Sequence, residues 1–118
     1  MEKNFIEVMR KKLIDAKAEL VSNLITSSVD FKSLVEKLDV RDMVDSASDD
    51  IDRKMIEAIG IQDMKRLRLI ESALIRIEQD KYGLCMRCGK RIAQTRLEAI
   101  PYAIMCIGCQ SSEERRNR

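Results

Sequence analysis

The sequence predicts a mainly α-helical protein: a long antiparallel helical hairpin of the coiled-coil type, followed by a small C-terminal finger built on four cysteines. The 118 residues are 45% apolar and 36% charged but include only two Phe, two Tyr and no Trp. That balance favours long amphipathic helices over a broad globular core. One Pro and four Gly leave few places to turn the chain, which argues against a many-stranded sheet.

The first predicted helix covers about residues 5–38, where apolar residues recur at helical spacing. Steps of three and four place them on one stripe, as in the seam of a coiled coil. The stripe contains Ile6, Met9, Leu13, Ala16, Leu20, Leu24, Phe31, Leu34 and Leu38. Ser27 and Ser28 interrupt it and weaken its middle.

Residues 39–52 break the apolar pattern and carry six Asp against one Arg. The chain is expected to turn here, so this segment forms the acidic tip of the hairpin. Asp45 or Ser46 is suited to cap the next helix, with Asp49 as the far member of a capping box that starts at Ser46.

The second predicted helix runs from about residue 47 to 81, and its two halves do not share one apolar phase. The shift falls at Gly60. Two interpretations are open: a tolerated glycine with a slight repacking of the seam, or a hinge that bends the hairpin. Helices of about 35 residues would each be about 50 Å long, so residues 1–81 are predicted to form a rod.

The remaining residues, 82–118, are predicted to form a compact module with a short C-terminal helical tail. Its cysteines are Cys85, Cys88, Cys106 and Cys109, two CxxC pairs separated by seventeen residues. This spacing lets four thiolates reach one ion from two tight turns, and Gly89 supplies the backbone freedom that such a turn requires. Four sulfur ligands leave no open position for water, so one structural Zn²⁺ is expected; an iron site and a dithiol redox pair are the alternatives.

Composition excludes several function classes. The absence of His removes imidazole bases and Cys/His zinc sets. Four thiolates on one Zn²⁺ bring the formal charge of +2 to neutrality, which makes bulk binding to DNA or to an anionic membrane a poor explanation. The chain has no long apolar run and no secretory leader pattern, so we expect a cytoplasmic protein with reduced thiols and no membrane association. With its thiols committed to metal and no nucleophile paired with a base, the protein is not expected to be an enzyme.

The segment from Tyr82 to Gln110 resembles the C-terminal zinc finger of the DksA/TraR family of bacterial transcription regulators. The shared motifs are a YGxCxxCG opening, a closing CxxC followed by Gln, and an RLxAxP segment at Arg96, Leu97, Ala99 and Pro101. The family's DxxDxA tip motif is present as Asp42, Asp45 and Ala47.

This resemblance implies a monomer that binds bacterial RNA polymerase through its secondary channel, without sequence-specific DNA binding. It implies that the hairpin tip modulates transcription initiation near the catalytic centre through Asp45 and Ala47, with Asp42 in support. The finger would rest at the channel rim. Its cations either balance the thiolate cluster or contact an acidic partner there; the candidates are Arg87, Lys90, Arg91 and Arg96.

The resemblance also shows one departure that bears on the alarmone ppGpp. Longer family members hold it with basic residues at positions that here are Leu69, Ile100 and Gln110. None of these side chains can pair with phosphate. Weak or absent ppGpp synergy is therefore expected, unless Lys65, Arg66 or Arg68 substitutes from a neighbouring turn.

Three other functions compete with this interpretation. A transcript-cleavage stimulator like the Gre factors would use tip acids to position a second Mg²⁺. A nucleic-acid-binding zinc ribbon would use the basic face from Arg87 to Arg96, although only Tyr82 and Tyr102 could stack on bases. A generic scaffold hairpin is the third.

Overall fold

A computed structural model describes residues 2–37 and 49–117 and confirms the mainly α-helical prediction. In these ranges the helices are α1 (Lys3–Ser27), α2 (Val29–Lys37), α3 (Asp49–Glu78), α4 (Gln94–Ala99) and α5 (Ile107–Arg116). The β-structure found in the same ranges is one isolated antiparallel bridge between Leu84 and Arg91. The chain forms two compact units, Met1–Ile14 together with Ser72–Arg118, and Asp15–Glu71. The predicted boundary between residues 81 and 82 stays a prediction.

In the unit Asp15–Glu71, Ser28 separates α1 from α2, at the place where two serines were expected to weaken the first helix. Its amide donates to the Leu24 carbonyl at 2.9 Å, the last bond of α1. Its hydroxyl oxygen accepts from the Phe31 amide at 3.1 Å, which is the side-chain cap expected at a helix start. The same hydroxyl donates to the Ala58 carbonyl at 3.0 Å. Ser28 therefore ends one helix, begins the next and contacts α3.

Gly60 divides α3 into two helical segments. Its backbone has φ 83° and ψ 163°, a region that essentially only glycine occupies. Asp52 and Arg68 form an ion pair at 2.5 Å, although sixteen residues of straight helix would separate them by about 24 Å. The second helical run thus folds back at Gly60. The interpretation as a tolerated glycine with a slight repacking of the seam is wrong, and the bend is confirmed. The prediction of a continuous second helix about 50 Å long is therefore wrong as well.

In the described part of this unit, one core cluster contains buried residues from α1, from α2 and from both sides of Gly60 in α3. These residues are Leu24 in α1, Phe31 in α2, and Met55 and Leu67 on the two sides of Gly60 in α3. Phe31 and Met55 are at most 1% exposed. The described segments therefore enclose side chains that a two-helix seam would leave partly in solvent.

Helix α1 runs antiparallel to the second segment of α3. Lys17 forms an ion pair with Glu71, while Leu24, farther along α1, lies in one core cluster with Leu67, nearer the start of that segment. Glu71 is the buried charged residue of this region, at 8% exposure. Burial of a carboxylate is tolerated when a cation lies beside it, so Lys17 fixes the register of the two helices.

The other unit joins the first turns of α1 and the end of α3 to the cysteine module. Met9 and Leu13 are fully buried there. The Arg76 guanidinium donates to the Lys81 carbonyl at 3.1 Å and to the Leu84 carbonyl. These bonds satisfy carbonyls beyond the helix end and connect α3 to the first cysteine turn.

Candidate metal centre

The first cysteine pair, Cys85 and Cys88, lies in a tight turn. The Cys85 amide donates to the Lys90 carbonyl at 2.8 Å, and the Gly89 amide donates to the Cys85 carbonyl at 3.0 Å. Gly89 has φ 75°, a conformation that favours glycine. The turn predicted around Gly89 is confirmed, and it directs both sulfurs to one side.

The second pair lies at the start of α5, where Cys106 is the N-cap. Its sulfur accepts from the Cys109 amide at 3.5 Å. The Arg96 Nε donates to the Met105 carbonyl at 3.1 Å, and the Met86 amide donates to the Ile104 carbonyl at 2.8 Å. These bonds hold the segment before Cys106 against the first cysteine turn.

Tyr82 fixes the RLxAxP segment from the opposite end. It is 6% exposed, and its hydroxyl donates to the Pro101 carbonyl at 2.8 Å. Burial raises the pKa of Tyr82 to about 12. The phenol is therefore a neutral donor through the physiological range, and the motif residues Tyr82 and Arg96 both position the cysteine loops.

The four sulfurs, Cys85, Cys88, Cys106 and Cys109, lie within 4.8 Å of one another. The Cys88 and Cys106 sulfurs are 3.9 Å apart. Tetrahedral zinc with bonds of about 2.3 Å would separate two sulfurs by about 3.8 Å, whereas a disulfide bond is about 2.05 Å long. All four cysteines are free thiols, and their arrangement fits one tetrahedral ion.

Ionisation of these thiols is interdependent. Burial opposes ionisation of Cys85, but amide hydrogen bonds from Cys88, Cys106 and Arg87 prevail and lower its pKa to about 6. The Cys109 amide lowers the pKa of Cys106, while the adjacent Cys106 sulfur raises that of Cys109 to about 12. Ionisation of one thiol therefore opposes ionisation of its neighbour. A soft divalent metal among the four sulfurs would favour their thiolate forms.

The predicted rim cations differ in their surroundings. Arg87 pairs with Glu113 at 3.1 Å, and Arg96 is half-buried on the Met105 carbonyl. Lys90 and Arg91 are exposed. Two apolar side chains next to cysteines in the sequence, Met86 and Ile107, are 59% and 69% exposed. The sequence prediction for this surface rested on charge and did not include the apolar pair.

Arg91 and Ile107 also border an open groove of about 620 Å³ beside the cysteine cluster. Ala93, Thr95, Ala99 and Ile100 contribute to its wall. The exposed side of the finger therefore combines apolar surface with a cation.

The predicted tip residues Asp42, Asp45 and Ala47 lie outside the described residues, and their role stays a prediction. Leu69, Ile100 and Gln110 are half-buried. The Gln110 side-chain Nε2 donates to the Glu114 carboxylate at 3.1 Å. The expectation of weak ppGpp synergy also stays a prediction.

Comparison with known proteins extends along both units. Residues 80–115 match the model of the prokaryotic dksA/traR C4-type zinc finger. A protein of Aquifex aeolicus without an assigned function is 30% identical over 98% of this chain and 80% of its own length. The chain belongs to the DksA/TraR family. The RNA polymerase-binding transcription factor DksA of Caulobacter vibrioides is 38% identical to it over 77 residues, 65% of this chain and 54% of that protein.

A solved DksA-family structure shares the fold. Transcription factor DksA2 from Pseudomonas aeruginosa superposes with a TM-score of 0.67 at 25% identity, covering 100% of this chain and 89% of that one. The C4 finger of the family and the clustered sulfurs identify the cysteine centre as a metal site of the zinc-finger type. In the described ranges no helix is both long and apolar enough to span a membrane.

Proposed function

We propose that this DksA/TraR-family protein binds bacterial RNA polymerase and regulates transcription initiation. The observation that carries the proposal is the four-sulfur cluster joined to antiparallel helices, in a chain whose relatives include a named RNA polymerase-binding transcription factor. A metal-stabilised finger joined to long helices is consistent with a protein that binds a large enzyme through the finger and inserts the helices into it.

The cysteine centre would stabilise the finger through which the protein docks. Cys85, Cys88, Cys106 and Cys109 would hold one Zn²⁺, which cross-links two turns that have little apolar surface to bury. Metal binding of about 10–16 kcal/mol in comparable peptides exceeds what such a small module gains from packing. With all four positions taken by sulfur, the ion is structural, and the protein is not an enzyme.

The helical hairpin is the probe. It would enter the secondary channel of the polymerase and bring Asp42, Asp45 and Ala47 near the catalytic centre. Carboxylates there compete for basic side chains of nearby loops or perturb the metal-binding region. The protein would act as a cytoplasmic monomer without sequence-specific DNA contacts, and ppGpp would add little because Leu69, Ile100 and Gln110 replace cations.

The exposed part of the finger supplies the second contact. Lys90 and Arg91 are exposed, and Met86, next to Cys85 in the sequence, is 59% exposed. An acidic rim with apolar side chains complements this surface, since opposite charges steer docking and apolar area holds it. Arg87 and Arg96 act within the finger.

Competition for the polymerase tests the proposal. Labelled, zinc-loaded protein should bind purified core polymerase and be displaced by excess Gre factor, because both would occupy one channel. Transcript cleavage by a backtracked complex should not increase. Binding to free DNA that persists without polymerase, or stimulated cleavage, would contradict the proposed function.

A further inference from the structure

Both arms of the hairpin are interrupted in the unit Asp15–Glu71, and the two interruptions are bonded to each other. The Ser28 hydroxyl, between α1 and α2, donates to the Ala58 carbonyl at 3.0 Å. In an unbroken α3 that carbonyl would accept from the amide of Gln62. The non-helical dihedrals of Gly60 interrupt that helical bond. Ser28 therefore satisfies a carbonyl that the bend releases.

The bend brings together side chains that a straight helix would keep apart. The Arg68 guanidinium lies 2.5 Å from the Asp52 carboxylate and 3.9 Å from the Met55 sulfur. In a straight α3 the backbones of Asp52 and Arg68 would be about 24 Å apart. Their ion pair thus exists only in the folded-back arm.

Gly60 has the properties of a hinge. A Cβ placed on it would meet no atom within 4 Å, so packing does not demand a glycine there. The backbone conformation does require glycine, because residues with a side chain rarely adopt a φ of 83° with a ψ of 163°. Glycine also enters the α-helical region freely, so this position allows both a bent and a straight α3.

We infer that the helical hairpin exchanges between a folded-back and an extended conformation. The ion pair between Asp52 and Arg68, here called the latch, holds the folded-back one. In the folded-back state, the Asp52 and Arg68 pair closes residues 49–59 onto the second segment of α3. In the extended state, Ser28 and Gly60 adopt helical dihedrals and α3 becomes continuous. The inference rests on the proposed function in one respect: the extended state is the one that enters the polymerase channel, so the folded-back state is autoinhibited.

The equilibrium between the two states depends on the hydrogen bonds, the apolar contacts and the ion pair that each state contains. On extension the Phe31 amide and the Ala58 carbonyl regain helical partners, so the number of hydrogen bonds changes little. The folded-back state retains the apolar cluster around Phe31 and Met55. The latch is weak, because the side chains of Arg68 and Asp52 are 27% and 37% exposed and such pairs contribute little in water.

Substitutions at the hinge should shift this equilibrium by amounts that backbone preferences set. Gly60→Ala favours the helix and strains the bent conformation, which together shift the equilibrium toward extension by at least about 30-fold. Ser28→Ala removes the cap and the bond to Ala58, and should shift it about fivefold. Gln62→Ala and Ser22→Ala, at exposed helical positions of the same unit, are the matched controls.

Zero-length cross-linking measures the latch directly in the full-length, zinc-loaded protein. Carbodiimide activates the Asp52 carboxylate; in an Arg68→Lys background the introduced amine attacks it, and an amide forms as the urea leaves. An Arg87→Lys substitution in the same background supplies the internal reference. It places an amine beside Glu113 in the finger, outside the hinge, in a pair whose side chains are 36% and 35% exposed. The cysteines are not modified.

We expect the cross-link from Asp52 to position 68 in the Arg68→Lys protein at a yield comparable to that of the reference pair. Gly60→Ala should reduce it severalfold, Ser28→Ala less, and the two controls not at all, with the reference yield constant. Absence of the cross-link in the parent, or its persistence in Gly60→Ala, would overturn the two-state arm. If Gly60→Ala also lost the reference cross-link, Ser28→Ala would decide.

Addition of core polymerase separates the hinge from the proposed function. Saturating polymerase should suppress the cross-link from Asp52 to position 68, and Gly60→Ala should bind polymerase more tightly, because the population of competent arm rises. Failure to bind polymerase contradicts the proposed function and leaves the hinge intact. Binding with an unchanged cross-link overturns the autoinhibitory role.

Discussion

The hydroxyl of Ser28 donates a hydrogen bond to the carbonyl of Ala58 across 3.0 Å, and this bond joins the interruptions of two helices. Ser28 also caps α2 through the Phe31 amide. One small side chain therefore supports three backbone features: the end of α1, the start of α2 and the bend of α3. The break between α1 and α2 therefore lies beside the bend of α3.

The ion pair between Lys17 and Glu71 gives a prediction about stability. Lys17→Met leaves a carboxylate that is 8% exposed without its cation, and we expect the free energy of unfolding to fall by about 3 kcal/mol. Adding Glu71→Leu should recover most of that loss, because an apolar pair of similar size suits the site. Urea denaturation of the zinc-loaded protein measures both values.

Lys11→Met is the control for that experiment, since Lys11 is an exposed lysine on the same helix. Its effect should stay within about 0.5 kcal/mol. Equal losses for Lys11→Met and Lys17→Met would show that charge removal in general, and not the buried pair, is responsible.

The raised pKa of Tyr82 leads us to predict a loss of folding stability at high pH. Burial raises its pKa in the folded state to about 12, above the value of about 10 in the unfolded chain. Its contribution is therefore fully present below about pH 10 and is lost as the pH rises toward about 12. Denaturation at a series of pH values should show this decline in the parent and a smaller decline in Tyr82→Phe. Tyr102→Phe, at a half-buried position, should retain the parental decline.

Removal of a metal ligand should unfold the finger but leave the arm folded. Cys88→Ser takes one sulfur from the cluster, and a module of this size depends on metal for most of its folding energy. We expect less than one Zn²⁺ per chain by metal analysis, proteolysis within residues 82–109, and loss of polymerase binding. Ser111→Ala, at an exposed position of α5, is the control. A Cys88→Ser protein with full zinc content and intact binding would contradict the structural role of the ion.

The sequence predicted the finger well because its signals are local. Spacing places Cys85 with Cys88 and Cys106 with Cys109, and Gly89 shows where the chain must turn. Tyr82 and Arg96 were recognised as motif letters, but their bonds to Pro101 and Met105 depend on how the loop closes. Spacing along the chain contains no such information.

The arm was predicted less completely. Apolar periodicity revealed both helices, and a phase shift marked Gly60, yet periodicity cannot tell a slight repacking from a bend that reverses direction. Asp52 and Arg68 are sixteen residues apart. Side chains at that separation cannot contact each other along a straight helix, where neighbours are three or four residues apart. Only the positive φ of Gly60 makes that contact possible.

The chemistry of the tip gives the last prediction. Asp45→Asn removes one charge from the DxxDxA motif, so folding and polymerase binding should be retained while the effect on initiation is largely lost. Asp30→Asn removes one charge from an exposed position of α2 outside the motif and should behave like the parent.

Run-off transcription from preformed promoter complexes, with saturating parent, Asp45→Asn or Asp30→Asn protein, is the most direct test. The parent and Asp30→Asn should shorten the lifetime of the complexes equally, and Asp45→Asn should leave it near the value without regulator. If Asp45→Asn bound polymerase and acted as strongly as the parent, regulation through the tip would be wrong.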